Sequence, residues 1–446
     1  MSSPSDQRPL AGAAGGQRRQ APNGGEAVEL PRPAGETADQ TTVRRANLGV
    51  VLGQVASRGR SSRAAIAAET GLTRSTVSSL VSELMDLGLV RETERTVRPR
   101  RVGRPGVDLE LSDRAVGVGL EINVEHLAVC VEDMTGRVRH DKVVHVDNRR
   151  SAPERVVERL CKLAETALAE VEEEGLVPVG IGLAVPGLVA VDKGELLIAP
   201  NLRWSQIALA EMLVERLPGL PVRVDNESNF AAMAEHWRGS ARNLRSFLFV
   251  FGEVGVGGGI FVDGEPYRGE HGFGGEVGHM TIAPGGELCA CGSRGCLETV
   301  AGQDAIARRA GIPLETAGRV QNMTRELVKR ARRGDEATLA SLHEAGLALG
   351  AAVASAINLL DLEAVILGGC FAPLAPWLVE DVRAALQSSV LAGGLTPSAV
   401  ATSELGLDAA VRGAAVLPLR ELLAAPWMLH DLGNGSTSSA TFARRG

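Results

Sequence analysis

Apolar residues recur at helical spacing near the start of the chain. Leu48, Val51, Leu52 and Val55 fall on one stripe that begins at Asn47 and stops at Gly59. A second helix is expected from Ser61 or Ser62, either able to cap the free amides near Ala64, to Glu69-Thr70-Gly71. Gly71 suits the left-handed turn into a third helix, which Thr73 opens and which buries Val77, Leu80, Val81 and Leu84. The other face of that helix offers Arg74, Ser75, Thr76, Ser78 and Ser79. After Gly88-Leu89-Val90 the pattern predicts a hairpin carrying Arg91, Arg95, Arg98, Arg100, Arg101 and Arg104. From Ala115 the periodicity changes. Strand-like runs at Val116–Ile122, His126–Val131 and Val179–Val185 flank a helix over 152–174, and this alternation favours an α/β domain. Helices around Thr338–Asn358 are long and rich in Ala, which permits close packing.

Composition narrows the class. Of 446 residues, 44% are hydrophobic and only 3% aromatic, a globular composition with room for two to three domains. No uninterrupted apolar run reaches the roughly 18 residues of a membrane span, and Met-Ser-Ser-Pro-Ser-Asp has no apolar signal core. A cytoplasmic protein without a membrane partner is therefore expected. The net charge of -7 argues weakly against nucleic acid until it is divided by region. Residues 41–105 hold twelve Arg and five acids, net +7, whereas residues 106–446 carry -13. A short basic module joined to a large acidic one has the electrostatics to approach DNA through the first alone. The short hydroxyl side chains beside Arg74 suit a helix lying in a major groove, and the arginine hairpin can reach phosphate or a narrow minor groove. Residues 1–40 and 428–446 read as disordered tails.

Candidate chemistry concentrates near residue 280. His279, Cys289, Cys291 and Cys296 lie within 18 residues, and four borderline-soft donors close a tetrahedral structural zinc site. Gly285, Gly286 and Gly292 let the short loop fold back, and a cytoplasmic setting disfavours disulfides. Cys130, Cys161 and Cys370 stand in apolar surroundings and read as core thiols.

Two sets of motifs resemble the ROK family of sugar-responsive repressors and sugar kinases. One is Thr-Gly-Leu-Thr-Arg-Ser-Thr-Val-Ser from Thr70, followed by Gly103-Arg104-Pro105. The other is Gly275-Glu276-Val277-Gly278-His279 with the three cysteines and Leu297-Glu298. The resemblance implies a winged helix-turn-helix over 41–110. It also implies a two-lobed, actin-like (ribonuclease-H-like) α/β sugar-kinase fold over 113–420, with sugar in the cleft between lobes. It assigns sugar contacts to Asn226, Glu276, His279 and Glu298, adds Asn201 in Pro200-Asn201-Leu202, and assigns zinc to the His and Cys set. Bound to zinc through one ring nitrogen, His279 can offer the other to a hydroxyl. The implied function is a repressor of carbohydrate-metabolism genes that binds double-stranded operator DNA as a homodimer or dimer of dimers and is relieved by a sugar.

A ROK sugar kinase with an appended DNA-binding domain is the alternative. Family kinases carry a catalytic Asp where this chain has Glu227, in Asn226-Glu227-Ser228-Asn229, and the extra methylene shifts the oxygen by about 1 Å. Where they have Asp-x-Gly-Gly-Thr this chain reads Glu121-Ile122-Asn123-Val124-Glu125, which crowds and repels a phosphate. ATP binding is expected to be lost, with no catalytic residue and Glu227 left as a sugar contact.

Overall fold

The structure is a computed structural model that describes residues 40–93, 107–314, 320–395 and 398–433. Arg95, Arg98, Arg100, Arg101 and Arg104 of the expected hairpin lie outside the described residues, as do the tails before Gln40 and after Gly433. Two expected boundaries differ from the structure. The first helix runs Gln40–Arg58, starting before Asn47 because its opening turns are exposed and so have no apolar period. A short helix, Met428–Gly433, occupies the start of the stretch expected to be disordered.

The basic module follows its pattern. Ser62 caps helix Arg63–Thr70 by accepting from Ala65 N, Gly71 takes φ 71°, and Thr73 caps helix Arg74–Asp86 by accepting from Thr76 N. Strands Val90–Glu92 and Asp108–Leu111 pair antiparallel, and Ser61–Ser62 joins the other side of Asp108–Leu111 to complete a small wing sheet.

The rest of the chain builds two lobes with one topology. In the first, the sheet runs Val222–Asn226, Val177–Val185, Ala115–Ile122, His126–Asp133, Val138–His145; in the second, Ala399–Thr402, Ala364–Gly369, Phe247–Gly252, Val256–Val262, Glu265–Tyr267. Numbered within its lobe, each sheet has order 5-4-1-2-3, with strands 5, 4 and 1 parallel and strands 1, 2 and 3 antiparallel. This duplication is the two-lobed α/β architecture expected from the sequence.

Helix Ala409–Ala424 lies against the first sheet so closely that only glycine fits opposite it. A Cβ at Gly117 would stand 2.0 Å from Ala415 O, one at Gly119 2.0 Å from Val411 O, and one at Gly182 2.2 Å from Ala414 O. The alternating glycines of Val116-Gly-Val-Gly-Leu are thus the seat of a helix. Its opposite side meets helix Glu227–Arg238, where a Cβ at Gly413 would be 1.8 Å from Phe230 O. Its far end enters the winged-helix core, because Leu419 and Leu422 pack with Leu48, Val51, Leu52, Ile66 and Leu84. The change of pattern near residue 110 therefore marks no gap in packing. Burying two leucines this way stabilises the junction by about 3–6 kcal/mol.

Helix Glu336–Leu360 has the length and composition to cross a membrane, a property that no uninterrupted apolar run reveals. Two-thirds of its most apolar stretch (67%) is buried in the second lobe's core, the placing of a core helix.

Candidate functional site

A cleft opens between the lobes. Asn201, Asn226, Glu227, Glu276, His279 and Glu298, all six residues expected to contact sugar, line it together. The first lobe contributes Asn201 from a loop anchored by buried Leu202 and by Trp204, whose Nε1 donates to Ser151 O at 3.0 Å. Asn226 ends strand Val222–Asn226 and caps helix Glu227–Arg238, with its Oδ1 accepting from Ser228 N at 2.7 Å and its Nδ2 donating to Gly187 O at 3.0 Å. Capping and ligand recognition thus fall on one side chain. Behind it, Asp225 is buried and accepts from Asn226 N, from Asn229 Nδ2 and from both Nε and Nη2 of Arg268. Arg268 belongs to the second lobe, so this ion pair ties the lobes together just below the cleft. Nothing in the sequence connects Asp225 with a residue 43 positions later.

From the second lobe, Glu298 reaches across Gly255, where a Cβ would sit 2.0 Å from Glu298 Oε2, and that oxygen accepts from Val256 N at 3.3 Å. The Gly-rich run from Gly255 to Gly259 therefore clears room for side chains and for helix Glu227–Arg238. Burial, then the like charge of Glu298, holds the Glu276 carboxyl above the usual range, against the pull of His279. Glu227 is raised further, by burial and by Glu253, Glu276 and Glu121, and its Oε2 has no hydrogen-bond partner among the described residues.

His279, Cys289, Cys291 and Cys296 converge, with one donor atom from each lying within 4.8 Å of all the others. Cys291 Sγ is 3.7 Å from Cys296 Sγ, and Cys289 Sγ is 3.8 Å from His279 Nδ1. The edge of a tetrahedron of zinc–sulfur bonds is about 3.8 Å, so these four groups fit a metal of that size and geometry. Positive φ at Gly285 (76°), Gly292 (91°) and Gly295 (72°) folds the loop back on itself. His279 turns Nδ1 toward the cysteines and Nε2 toward Glu276 Oε2, 3.8 Å away in the cleft. Cys130, Cys161 and Cys370 are buried in the core, as expected, and burial pushes the Cys161 thiol up to about 11.

The segment Glu121–Glu125 ends the first strand at a second cavity behind the cleft. Glu121 is buried and pairs with His126 Nε2 at 3.3 Å, while Asn123 donates to Glu121 and across the lobes to Glu253 Oε2 at 2.5 Å. Sequence reasoning missed Glu253 and His126, which carry no motif. Burial opposes charge on His126, yet Glu121, with Glu253 and Glu125 beyond it, lifts the ring to about 9. Since its folded value exceeds its unfolded one near 6.5, the pairing stabilises fully below pH 6.5 and is lost as pH rises through about 9. Chemical denaturation should show stability falling by roughly 2 kcal/mol between pH 6.5 and 9.5, and a smaller fall in His126→Gln. An equal fall in both proteins would remove His126 as the cause.

On helix Arg74–Asp86, Thr73, Arg74, Ser75, Ser78 and Ser79 are exposed and Thr76 is half-buried. Thr73 Oγ1 bonds Ser75 Oγ at 2.9 Å and Thr76 Oγ1 at 2.8 Å, while Arg44 donates to Ser79 Oγ and pairs with Glu83. Arg91 is held by Glu110 and Asp113, which neutralises one expected wing cation. Arg74 makes no ion pair among the described residues, so its charge is available on this face.

Two duplicated α/β lobes around a polar cleft, joined to a winged helix-turn-helix, define a protein with a sugar-kinase-type fold and a DNA-binding module. The chain belongs to the ROK family, whose model matches residues 117–421, and an IclR helix-turn-helix model matches residues 48–94. It is 30% identical to the xylose repressor of Bacillus subtilis over 379 residues, covering 85% of this chain and 96% of that one. It resembles a ROK-family transcriptional regulator described as a homologue of the Escherichia coli Mlc protein at 25% identity and TM-score 0.73. That match covers 88% of this chain and 99% of the other. A Streptomyces griseus ROK glucokinase, solved with glucose and an ATP analogue, aligns over 68% of this chain and 98% of its own, with 29% identity and TM-score 0.59.

Proposed function

We propose that this protein is a sugar-responsive transcriptional repressor of carbohydrate-metabolism genes, working in the cytoplasm as a homodimer or dimer of dimers on double-stranded operator DNA. The observation that carries this reading is the continuity of helix Ala409–Ala424. One side touches the helix that opens with Asn226 and Glu227 in the cleft, and its far end lies in the winged-helix core. A sugar that draws Glu276, His279 and Glu298 toward Asn201 and Asn226 shifts one lobe against the other, and this helix carries the shift to the reading heads. Two half-sites are bound only when the spacing of the two heads matches them, so a small hinge motion changes affinity strongly. The coupling is reciprocal: a sugar that weakens operator binding is itself bound more weakly by the operator complex.

Zinc at His279, Cys289, Cys291 and Cys296 would supply rigidity, holding Nε2 of His279 where a hydroxyl meets it. Glu227, with its carboxyl pushed well above the usual range, is suited to donate a hydrogen bond to the sugar rather than to take its proton. Where a kinase would receive phosphates, Glu121, Glu125 and Glu253 gather instead, which supports a sensor without phosphoryl transfer.

The test is a gel shift on the DNA upstream of the protein's own gene, repeated with a panel of monosaccharides. One sugar should change operator affinity without ADP formation; sugar-specific ADP release that disappears in Glu227→Gln would show a working kinase instead. Arg74→Ala should weaken operator binding about tenfold or more and lower the salt slope by about one unit, as loss of a phosphate contact does. An unchanged slope would move the reading face away from Arg74. Arg101 and Arg104 are proposed to make the same kind of contact from the wing, and Thr73, Ser75, Thr76, Ser78 and Ser79 to line the groove.

A further inference from the structure

Helix Glu227–Arg238 spans about 18 Å, with Asn226 and Glu227 in the cleft at one end and Arg238 at the other. The helix packs on the second sheet, where a Cβ at Gly259 would stand 2.5 Å from Ser228 O. Arg238 nevertheless reaches the first sheet: its Nε donates to Glu132 Oε1 at 2.6 Å and its Nη2 to Met134 O at 3.3 Å. Glu132 is fully buried and pairs across the sheet with Gly117, so both face helix Ala409–Ala424. Its Oε2 accepts from Nε and Nη2 of Arg412 on that helix, at 3.0 and 2.8 Å. One carboxylate therefore holds both helices to the first sheet. Desolvation offsets most of the attraction in such a triad, so it is a weak source of stability but a directional source of position.

The turn that follows Glu132 leads on to the winged helix by two contacts. Met134 is buried in the winged-helix core with Leu48, Val51 and Leu84. Asp133, also buried, accepts from Arg139 Nε at 2.7 Å, and Arg139 Nη2 donates to Asp113 at 2.6 Å. Asp113 in turn accepts from Arg91 Nη1 at 3.2 Å, on the wing strand Val90–Glu92. Gly136, at φ 89°, closes the turn against Arg238, whose Nε would lie 3.1 Å from a Cβ there. We propose that Arg238 is a positioning residue: it carries movement of the cleft to the DNA-reading module through Glu132 and Met134, by a second route beside helix Ala409–Ala424. This role serves the sugar-to-operator coupling proposed above and rests on that reading. Packing of Gly413 on Phe230 sets how near the two helices lie, and the directional bonds at Glu132 set how they are turned.

The test uses the full chain and hydrogen-exchange mass spectrometry. Asn226→Ala removes the cap at the cleft end of helix Glu227–Arg238. It should speed exchange in helix Arg74–Asp86 and strand Val90–Glu92 about threefold or more, relative to helix Glu336–Leu360, which reports global unfolding. In an Arg238→Met background the same substitution should raise exchange there by no more than about half as much. Met keeps the packing of the stem and leaves Glu132 paired with Arg412, so the variant is expected to fold. Should circular dichroism show otherwise, Arg238→Lys, which keeps the charge and loses the two-pronged geometry, takes its place. An equal rise in both backgrounds overturns the proposal, and so does no rise in the wild-type background. A gel shift with the monosaccharide panel reads the repressor function separately. The sugar effect on operator affinity should shrink about threefold or more in Arg238→Met while sugar-dependent thermal stabilisation is unchanged; an undiminished effect overturns the proposal. A wild-type protein without any sugar effect would refute the repressor reading instead, and the exchange comparison would still decide the route.

Discussion

Cys291→Ser is expected to retain zinc at least about 100-fold less well and to lose the sugar response while operator binding persists. Cys291 is exposed at the rim of the cleft, so the substitution costs the core little. The consequence passes through His279, whose Nδ1 is oriented by the cysteine cluster and whose Nε2 faces Glu276. Removing one corner of the cluster frees the ring, and loop 279–296 then no longer holds Glu276 and Glu298 at fixed separation from Asn201 and Asn226. Metal content after dialysis against a chelator, sugar-dependent thermal stabilisation and a gel shift read the three effects separately. A variant that loses metal yet keeps its sugar response would break the proposed link between the two sites.

Gly413→Val should destabilise the protein by about 3 kcal/mol or more, near or beyond the upper end of ordinary overpacking. The first added carbon would lie 1.8 Å from Phe230 O, and backbone cannot swing aside as a flexible side chain can. Helices Glu227–Arg238 and Ala409–Ala424 must part, so whatever folded protein remains should also show weakened coupling between sugar and operator. Gly53→Ala is the matched control. Nothing lies within 4 Å of a Cβ there, and replacing a mid-helix glycine should stabilise by about 0.5–1 kcal/mol. Urea denaturation distinguishes the two, and a Gly413→Val protein as stable as wild type would show that the helices can separate freely.

The elements most legible in the sequence were those whose signal is local. Thr73 and Ser62 announced their helices because a cap bonds amides two or three residues on. The amphipathic stripe through Val77, Leu80, Val81 and Leu84 predicted a buried face that the structure shows. The exposed start of the helix at Gln40 and the helix at Met428 were not legible, because short or solvent-facing segments lack periodicity.

By itself the sequence determined the order of modules, the division of charge between them, and the six residues that come to line the cleft. The four zinc-type donors were legible from their spacing within 18 residues, whereas the sugar contacts followed from the resemblance of the motifs to the ROK family. Only the tertiary structure decided that Gly117, Gly119 and Gly182 seat one helix, which carries Gly413 against Phe230 and runs on to the winged-helix core. The same holds for the pairing of Arg268 with Asp225 and for the closing of Asn123 onto Glu253, 130 residues away. These contacts arise where two separately folded sheets meet, and their strength depends on burial and distance, which no local pattern of residues encodes.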